Sequence, residues 1–288
     1  MSTTASEPAQ IQTRRMSFEE SLQQVPRHFG PDGDLLASHI AACLSAVFPD
    51  GEDYFVRSVR HFRGDITDPV LKRQVAGFIG QEAMHGREHR AFNRRLSELG
   101  YPTRFVERVT ERGLALAEKV LPARTNLAVT AALEHYTATL AEQLLRDPDT
   151  RDLFGDDRVR DLFLWHALEE SEHKAVAFDV YRAVGGTERV RRATMNAVTL
   201  GFLGGTLLAL VQSLAMDRAA YNPLRLARSA RRFLRSSIIS RELLRELRAY
   251  NRPGFHPSDR DASELLTTWR EELFGADGTL NDRLAGVA

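Results

Sequence analysis

Apolar residues recur at intervals of three and four positions along most of the chain, which is the spacing of an amphipathic α-helix. No segment shows the sustained alternation of apolar and polar residues that marks a β-strand, so the sequence predicts an all-α fold. In the first apolar stretch, Pro49 and Gly51 interrupt the pattern and predict that a new helix begins at Glu52. The other predicted helices cover residues 69–99, 104–119, 122–146, 158–184, 193–216 and 224–250.

The composition changes along the chain and divides it into four parts. Residues 1–30 are polar with few aromatic side chains, and they are predicted to form a disordered tail. Residues 31–186 hold most of the periodic helices and are predicted to form one metal-binding bundle. Residues 187–250 are predicted to add an apolar helix and an arginine-rich helix, and residues 251–288 to form a loosely packed C-terminal tail.

Two E-x-x-H motifs are the first candidates for chemistry: Glu82 with His85, and Glu170 with His173. Each motif lies in the middle of a long predicted helix, where residues three positions apart project from one face and can reach the same metal ion. One such motif is a weak signal, because the spacing arises readily by chance. The two motifs therefore need support from other residues.

Two further glutamates lie on apolar faces of predicted helices. Glu52 is in phase with Phe55 and Val59, and Glu134 shares a face with Ala131. An unpaired carboxylate in such surroundings costs several kcal/mol, so it needs a cation, a proton or a hydrogen-bond network. A bound metal supplies the cation. The predicted metal ligands are therefore Glu52, Glu82, His85, Glu134, Glu170 and His173.

The order of these ligands alternates along the chain, because a helix with one carboxylate is followed by a helix with an E-x-x-H motif, twice. This order resembles the ferritin-like di-iron carboxylate superfamily, which implies a four-helix bundle, here with additional C-terminal helices, and a pair of bound metals. The segments F-P-D-G-E at 48–52, Q-E-A-M-H at 81–85 and W-H-A-L-E-E-S-E-H at 165–173 also look like a bacterial family called predicted metal-dependent hydrolase. That resemblance covers residues 34–248 and implies the metal site.

Three more residues lie near the predicted metal-facing stripe. His89 lies one helical turn after the first motif, and His166 precedes His173 by seven positions. Two roles stay open for each of them: a direct ligand, or a buried histidine that orients a ligand. Glu169 stands four positions before His173, whereas Glu170 repeats the spacing of the first motif. Glu170 is therefore the predicted ligand, with His89, His166 and Glu169 as further candidates.

The ligand types predict which metals bind and what they do. Carboxylates and imidazoles without thiolates suit iron or manganese better than zinc, so two iron ions are predicted, with manganese or a mixed manganese–iron pair as the alternative. The superfamily resemblance implies a di-iron oxygenase or oxidase that acts on a small-molecule substrate with an unidentified electron donor. Two alternatives stay open: a two-metal hydrolase, and a non-enzymatic bundle that binds or stores metal.

Charge and cysteine content exclude several classes of protein. Lysine and arginine number 39, as do aspartate and glutamate, and no nucleic-acid motif is present, so no nucleic-acid partner is predicted. The single cysteine, Cys43, excludes an internal disulfide and is predicted to be a buried small side chain. The polar N-terminus lacks the apolar core of a secretory signal, which predicts a cytoplasmic protein.

Residues 193–216 contain no charged side chain, and a helix of this length could cross a bilayer core. Arginines flank both ends, so the charge pattern defines no orientation. Two interpretations stay open: a buried helix, such as one at a homodimer interface, or a helix that contacts a membrane. In the second case residues 193–249 form a surface for anionic lipids at the inner face of the cell membrane, and the substrate is lipid-like.

Overall fold

The protein is an assembly of α-helices in a computed structural model that describes residues 11–238 and 240–285. Across these ranges the only β-type pairing is an isolated bridge between Met16 and Leu284, so the all-α prediction is confirmed. The helices are α1 (Glu19–Leu22), α2 (Leu35–His61), α3 (Pro69–Glu98), α4 (Thr103–Val120), α5 (Ala123–Arg146), α6 (Pro148–Arg151), α7 (Asp157–His173), α8 (Val176–Ala183), α9 (Glu188–Ala215), α10 (Pro223–Arg235), α11 (Arg241–Ala249) and α12 (Ser263–Phe274).

Four long helices surround the centre of the molecule, because α2 packs against α3 and α5, and α7 packs against the same two. Two apolar clusters fill the space between them. Phe78 belongs to one cluster and lies edge-on to His173, while Trp165 belongs to the other and lies edge-on to His85. The two predicted motifs therefore lie between the apolar clusters. The ferritin-like topology stays a prediction.

Helix α2 runs without a break through Pro49, so the predicted start of a new helix at Glu52 is wrong. Proline lacks the amide that would donate to the carbonyl of Ser45, four residues earlier. The side-chain amide of Asn93 on α3 donates to that carbonyl at 3.1 Å and supplies the missing partner. The helix therefore continues, and Glu52 lies inside it.

Two predicted helices are each divided in the structure. The segment predicted as one helix over 158–184 is divided into α7 and α8, and Lys174 between them donates to Glu142 of α5 at 2.7 Å. The segment predicted over 224–250 is divided into α10 and α11. The Ser240 hydroxyl accepts from a backbone amide in the first turn of α11 and so begins a new helix.

Both predicted tails belong to the folded protein where the structure describes them. Phe18 and Leu22 near the N-terminus are buried, and the Phe18 ring centroid lies 5.6 Å from that of Trp165. Near the C-terminus α12 packs on α7 and buries Leu273. The tail predictions are therefore wrong for 11–30 and 251–285, because a few well-placed apolar side chains outweigh a polar average composition. The remaining parts of both predicted tails, 1–10 and 286–288, lie outside the described residues.

Helix α9 packs on α5 and α2 with one face and exposes the other. Met195 and Ala209 are buried, whereas Leu200 and Leu207 are 77% and 62% exposed. Within the described ranges, α9 alone is long and apolar enough to cross a membrane, judged by length and composition. Only 17% of its most apolar window is buried, so the interpretation as a buried core helix is wrong. The dimer and membrane interpretations stay predictions.

Candidate metal centre

Four helices bring the predicted ligands into one buried cluster. None of the six is more than 2% exposed: Glu52 on α2, Glu82 and His85 on α3, Glu134 on α5, and Glu170 and His173 on α7. The shortest approach joins His173 Nε2 to Glu82 Oε1 at 2.9 Å, and the same nitrogen lies 3.4 Å from Glu134 Oε2. The structure thus places all six predicted ligands around a common centre.

Ligand atoms that lie within 4.8 Å of one another occur here in two adjacent sets: Glu52, His85 and His166, and Glu82, Glu170 and His173. Glu170 also bridges the sets, since its Oε1 lies 3.0 Å from His166 Nε2 and 3.7 Å from His173 Nε2. Glu134 lies beside the second set through its approach to His173. Each set has the residue types and spacing to hold one metal ion.

Many polar atoms of this cluster are buried without a well-aligned hydrogen-bond partner, even where His173 Nε2 approaches Glu82 Oε1 at 2.9 Å. They are both carboxylate oxygens of Glu52, Glu82 and Glu134, Oε2 of Glu170, Nδ1 of His85 and Nε2 of His173. Buried polar atoms are nearly always paired, and an unpaired buried carboxylate costs several kcal/mol. A cation in each set would pair these atoms and also screen the carboxylates from one another. The side chains present therefore fit a bound pair of metal ions.

His173 and His85 each face the clustered carboxylates with one ring nitrogen and form a hydrogen bond with the other. His173 Nδ1 lies 2.8 Å from the side-chain oxygen of Gln81, whose amide nitrogen donates to Glu172 at 2.9 Å. His85 Nε2 lies 3.1 Å from Glu169 Oε2. The amide oxygen of Gln81 and the carboxylate oxygen of Glu169 accept hydrogen bonds, so His173 Nδ1 and His85 Nε2 each carry the proton. In the neutral rings, His173 Nε2 and His85 Nδ1 therefore keep a lone pair for a metal.

A chain of hydrogen bonds assigns the same role to His166. The Asn93 amide donates to the Ser45 carbonyl, so its oxygen is free to accept from the Ser45 hydroxyl at 2.7 Å. Ser45 Oγ then accepts from His89 Nδ1 at 2.9 Å, and His89 Nε2 accepts from His166 Nδ1 at 2.8 Å. In the neutral ring His166 Nε2 keeps its lone pair and faces Glu170. His166 therefore has the geometry of a ligand, whereas His89 orients it.

Glu169 contacts a ligand and not the centre of the cluster. Its Oε2 accepts from His85, and its Oε1 accepts from Arg14 at 2.9 Å. Arg14 also pairs with Glu172 at 2.9 Å. The sequence contains no local signal for Arg14, because it lies in the segment predicted to be disordered and more than 150 positions away from its partners. Ser45, Asn93 and Gln81 were also missed, because each acts through a contact between segments at least 44 positions apart.

Burial and mutual repulsion raise the pKa values of Glu52, Glu82 and Glu134. Burial acts in the same direction on Glu170, but His173 and His166 hold its pKa well below the usual value. Burial, followed by the charges of Glu82 and Glu170, raises the pKa of Glu52 well above its usual value. Burial and Glu170 raise the pKa of Glu134 to about 7. Burial opposes the charged form of His173, yet the charges of Glu170 and Glu82 raise its pKa well above the usual value. Without metal, protons therefore take the place of the cations near neutral pH.

An apolar pocket of about 430 Å³ reaches the cluster from the surface. Its polar inner end is formed by Glu52 and Glu170. Its outer end lies between α4 and α9, where the lining residues Phe105, Val109 and Leu208 are 44%, 55% and 67% exposed. A pocket of this size and character is typical of a small-molecule site.

A third set of potential ligand atoms, from His28, His39 and Asp217, lies elsewhere in the fold. These groups already pair with one another, since Asp217 Oδ2 lies 2.6 Å from His28 Nε2 and 3.1 Å from His39 Nε2. Arg27 adds a further ion pair to Asp217 at 3.4 Å. These ion pairs to Asp217 therefore connect neighbouring segments of the fold. They lack the unpaired buried atoms that characterise the glutamate–histidine cluster.

A family model described as "Predicted metal-dependent hydrolase" matches residues 12–261, which include every residue of the cluster. No curated protein and no solved structure matches the chain. The family description overturns the oxygenase or oxidase function predicted above and favours the hydrolase alternative. The oxygenase or oxidase prediction rested on the superfamily resemblance, and the ligand types could not correct it because carboxylates and imidazoles hold metals for both kinds of chemistry. Hydrolysis transfers no electrons, so the expected electron donor has no role in it.

Proposed function

Because the chain belongs to the predicted metal-dependent hydrolase family, we propose that it hydrolyses a small-molecule substrate with two metal ions held by the glutamate–histidine cluster. The observation that supports this most strongly is the convergence of unpartnered carboxylate oxygens and imidazole nitrogens from four helices. The apolar pocket that ends at Glu52 and Glu170 supplies a route for the substrate.

In this proposal Glu52, His85 and His166 hold one ion, and Glu82, Glu170 and His173 hold the other. Glu134 completes the second set from its position beside His173. Two ions at such a site lower the pKa of water and polarise the bond to be broken. We further propose that the ions are manganese or iron, because the donors are carboxylates and imidazoles without a thiolate.

The protein's own side chains orient and protect this site. Glu169 and Gln81 hold the rings of His85 and His173 so that one nitrogen of each faces inward. Burial excludes bulk water from the cluster, and the pocket supplies a route by which water can reach the reacting group.

Metal content is the first test of this proposal. Elemental analysis of the purified protein should find about two transition-metal ions per chain, as a two-metal site requires. The variants Glu82→Gln and His173→Ala should each lose at least one of them. Matched controls are Glu111→Gln and His61→Ala, which change the same residue types at exposed positions on α4 and α2 and should keep both ions.

Hydrolysis is the second test, measured on a panel of chromogenic esters, amides and phosphoesters. Activity should disappear after chelation, return with Mn²⁺ or Fe²⁺, and fall about 100-fold or more in Glu82→Gln, with Glu111→Gln unchanged. Activity that survives both chelation and Glu82→Gln would refute the proposal. So would a fully metal-loaded protein that hydrolyses no member of the panel.

A further inference from the structure

The apolar pocket differs from an ordinary packing defect because its two charged lining residues both belong to the glutamate–histidine cluster, whereas the other polar lining residues are uncharged. Glu52 and Glu170, both about 2% exposed and with unpartnered oxygens, line its inner end. Along the walls the lining is mainly aliphatic and aromatic, with Phe48 and Phe55 from α2, Val106 from α4 and Phe202 from α9. A ligand that matches this pocket is polar at one end and apolar along the rest of its length.

Glycines keep the pocket open. Gly51, Gly113, Gly201 and Gly205 line it from α2, α4 and α9, and a Cβ atom added at any of them would meet no atom within 4 Å. A glycine inside a helix destabilises it by roughly 0.5–1 kcal/mol relative to alanine. Close packing does not require these glycines, so the space beside them is available to a ligand.

The outer end of the pocket is also apolar. Phe105 and Val109 on α4 and Leu208 on α9 line it and remain 44–67% exposed. A long apolar chain could therefore stay in contact with apolar side chains from the surface to the carboxylates. Each CH₂ group that leaves water contributes about 0.8 kcal/mol, so chain length should control affinity strongly.

We propose that the substrate is an ester or amide of a long apolar chain, with the chain in this pocket and the carbonyl at Glu52 and Glu170. This inference rests on the proposed hydrolytic function and specifies its substrate class. In the reaction, the oxygen of water forms a bond to the acyl carbon and the ester or amide bond breaks. The leaving group takes up a proton, so no oxidant or reductant is needed. The chain could come from a soluble amphiphile or from a membrane lipid, since both present the same chemistry.

Neighbouring glycines on α9 supply a matched pair of variants. Gly205→Leu places a side chain in the pocket, whereas Gly204→Leu changes the adjacent residue, which does not line it. An added Cβ meets no atom within 4 Å at either position, so neither substitution should disturb the fold. Equal melting temperatures for the two variants would verify this.

The first measurement is binding of a fluorescent dodecanoic acid to the protein. Gly205→Leu should weaken binding at least 10-fold, and Gly204→Leu should bind like the unmodified chain. Glu82→Gln, which impairs the second metal set on the far side of Glu170, should retain most of the binding. Equal affinity of Gly205→Leu and the unmodified chain would overturn the pocket assignment, whatever the protein hydrolyses.

The second measurement compares p-nitrophenyl esters of increasing acyl length. The kcat/KM value should rise with acyl length in the unmodified chain and in Gly204→Leu, whereas it should not rise with acyl length in Gly205→Leu. Probe binding that Gly205→Leu blocks, together with no ester hydrolysis at all, would support the pocket and refute the hydrolytic function. Parallel assays below the critical micelle concentration and on phosphatidylcholine vesicles distinguish the soluble from the membrane source.

Discussion

A buried carboxylate without a bound cation should destabilise the metal-free protein, and this effect can be measured at Glu134. Burial and the charge of Glu170 raise its pKa from 4.5 to about 7, although His173, with Nε2 3.4 Å from Glu134 Oε2, opposes the shift. At about 1.4 kcal/mol for each tenfold change in the ionisation constant, this shift costs at most roughly 3 kcal/mol of stability above pH 7. The substitution Glu134→Gln removes the ionisation.

The amide of the glutamine would itself lack hydrogen-bond partners, which costs about 1–3 kcal/mol and offsets part of the stability gained by removing the ionisation. We therefore expect metal-free Glu134→Gln to be about 1 kcal/mol more stable than the unmodified chain at pH 8, or roughly 2–4 °C in melting temperature. Because the folded pKa is raised, the stabilising proton is bound at low pH and lost as pH rises toward 7 and above. The advantage of Glu134→Gln should therefore shrink between pH 8 and pH 5.

The assay is thermal unfolding of chelator-treated protein at both pH values, with Glu111→Gln as the control for an exposed glutamate. Saturating Mn²⁺ should reverse the order, because the metal stabilises the intact ligand set more than the variant. If Glu134→Gln is less stable than the unmodified chain without metal at pH 8, or if the difference does not depend on pH, Glu134 is not an uncompensated carboxylate.

Two further predictions concern metal affinity, and a third concerns the stability of the metal-free protein. Affinity for Mn²⁺, followed by titration, should rise from pH 6 to pH 8, because the raised pKa of Glu52 makes protons compete with the metal at the lower pH; a flat profile would contradict this. Arg14→Gln should weaken binding about 10–100-fold by releasing Glu169, and the exposed neighbour in Arg15→Gln should bind normally; equal affinities would show that the orienting contact is unimportant. Asn93→Leu should lower the stability of the metal-free protein by about 1–3 kcal/mol in chemical denaturation, because the Ser45 carbonyl loses its partner; an unchanged midpoint would refute the account of helix α2.

The sequence by itself determined the helical class and the identity of the clustered residues. Helical periodicity and the three-residue spacing of Glu82 with His85 are local properties, so they can be read without knowing how the helices pack. A glutamate on an apolar stripe, such as Glu134, is likewise visible in the sequence because burial of that stripe is expected. The structure places these side chains together, and their role as metal ligands stays a prediction.

Only the tertiary structure decided which groups surround and orient those residues. Arg14, Ser45 and Asn93 act on the site through contacts between distant segments, and their own local sequence carries no trace of that role. The same holds for the uninterrupted helix α2, since a partner on another helix satisfies the carbonyl that Pro49 leaves free. The pocket is also a property of packing, because its walls come from helices far apart in the chain. Local patterns specify residue types and faces, whereas partners and cavities exist only once the helices are packed.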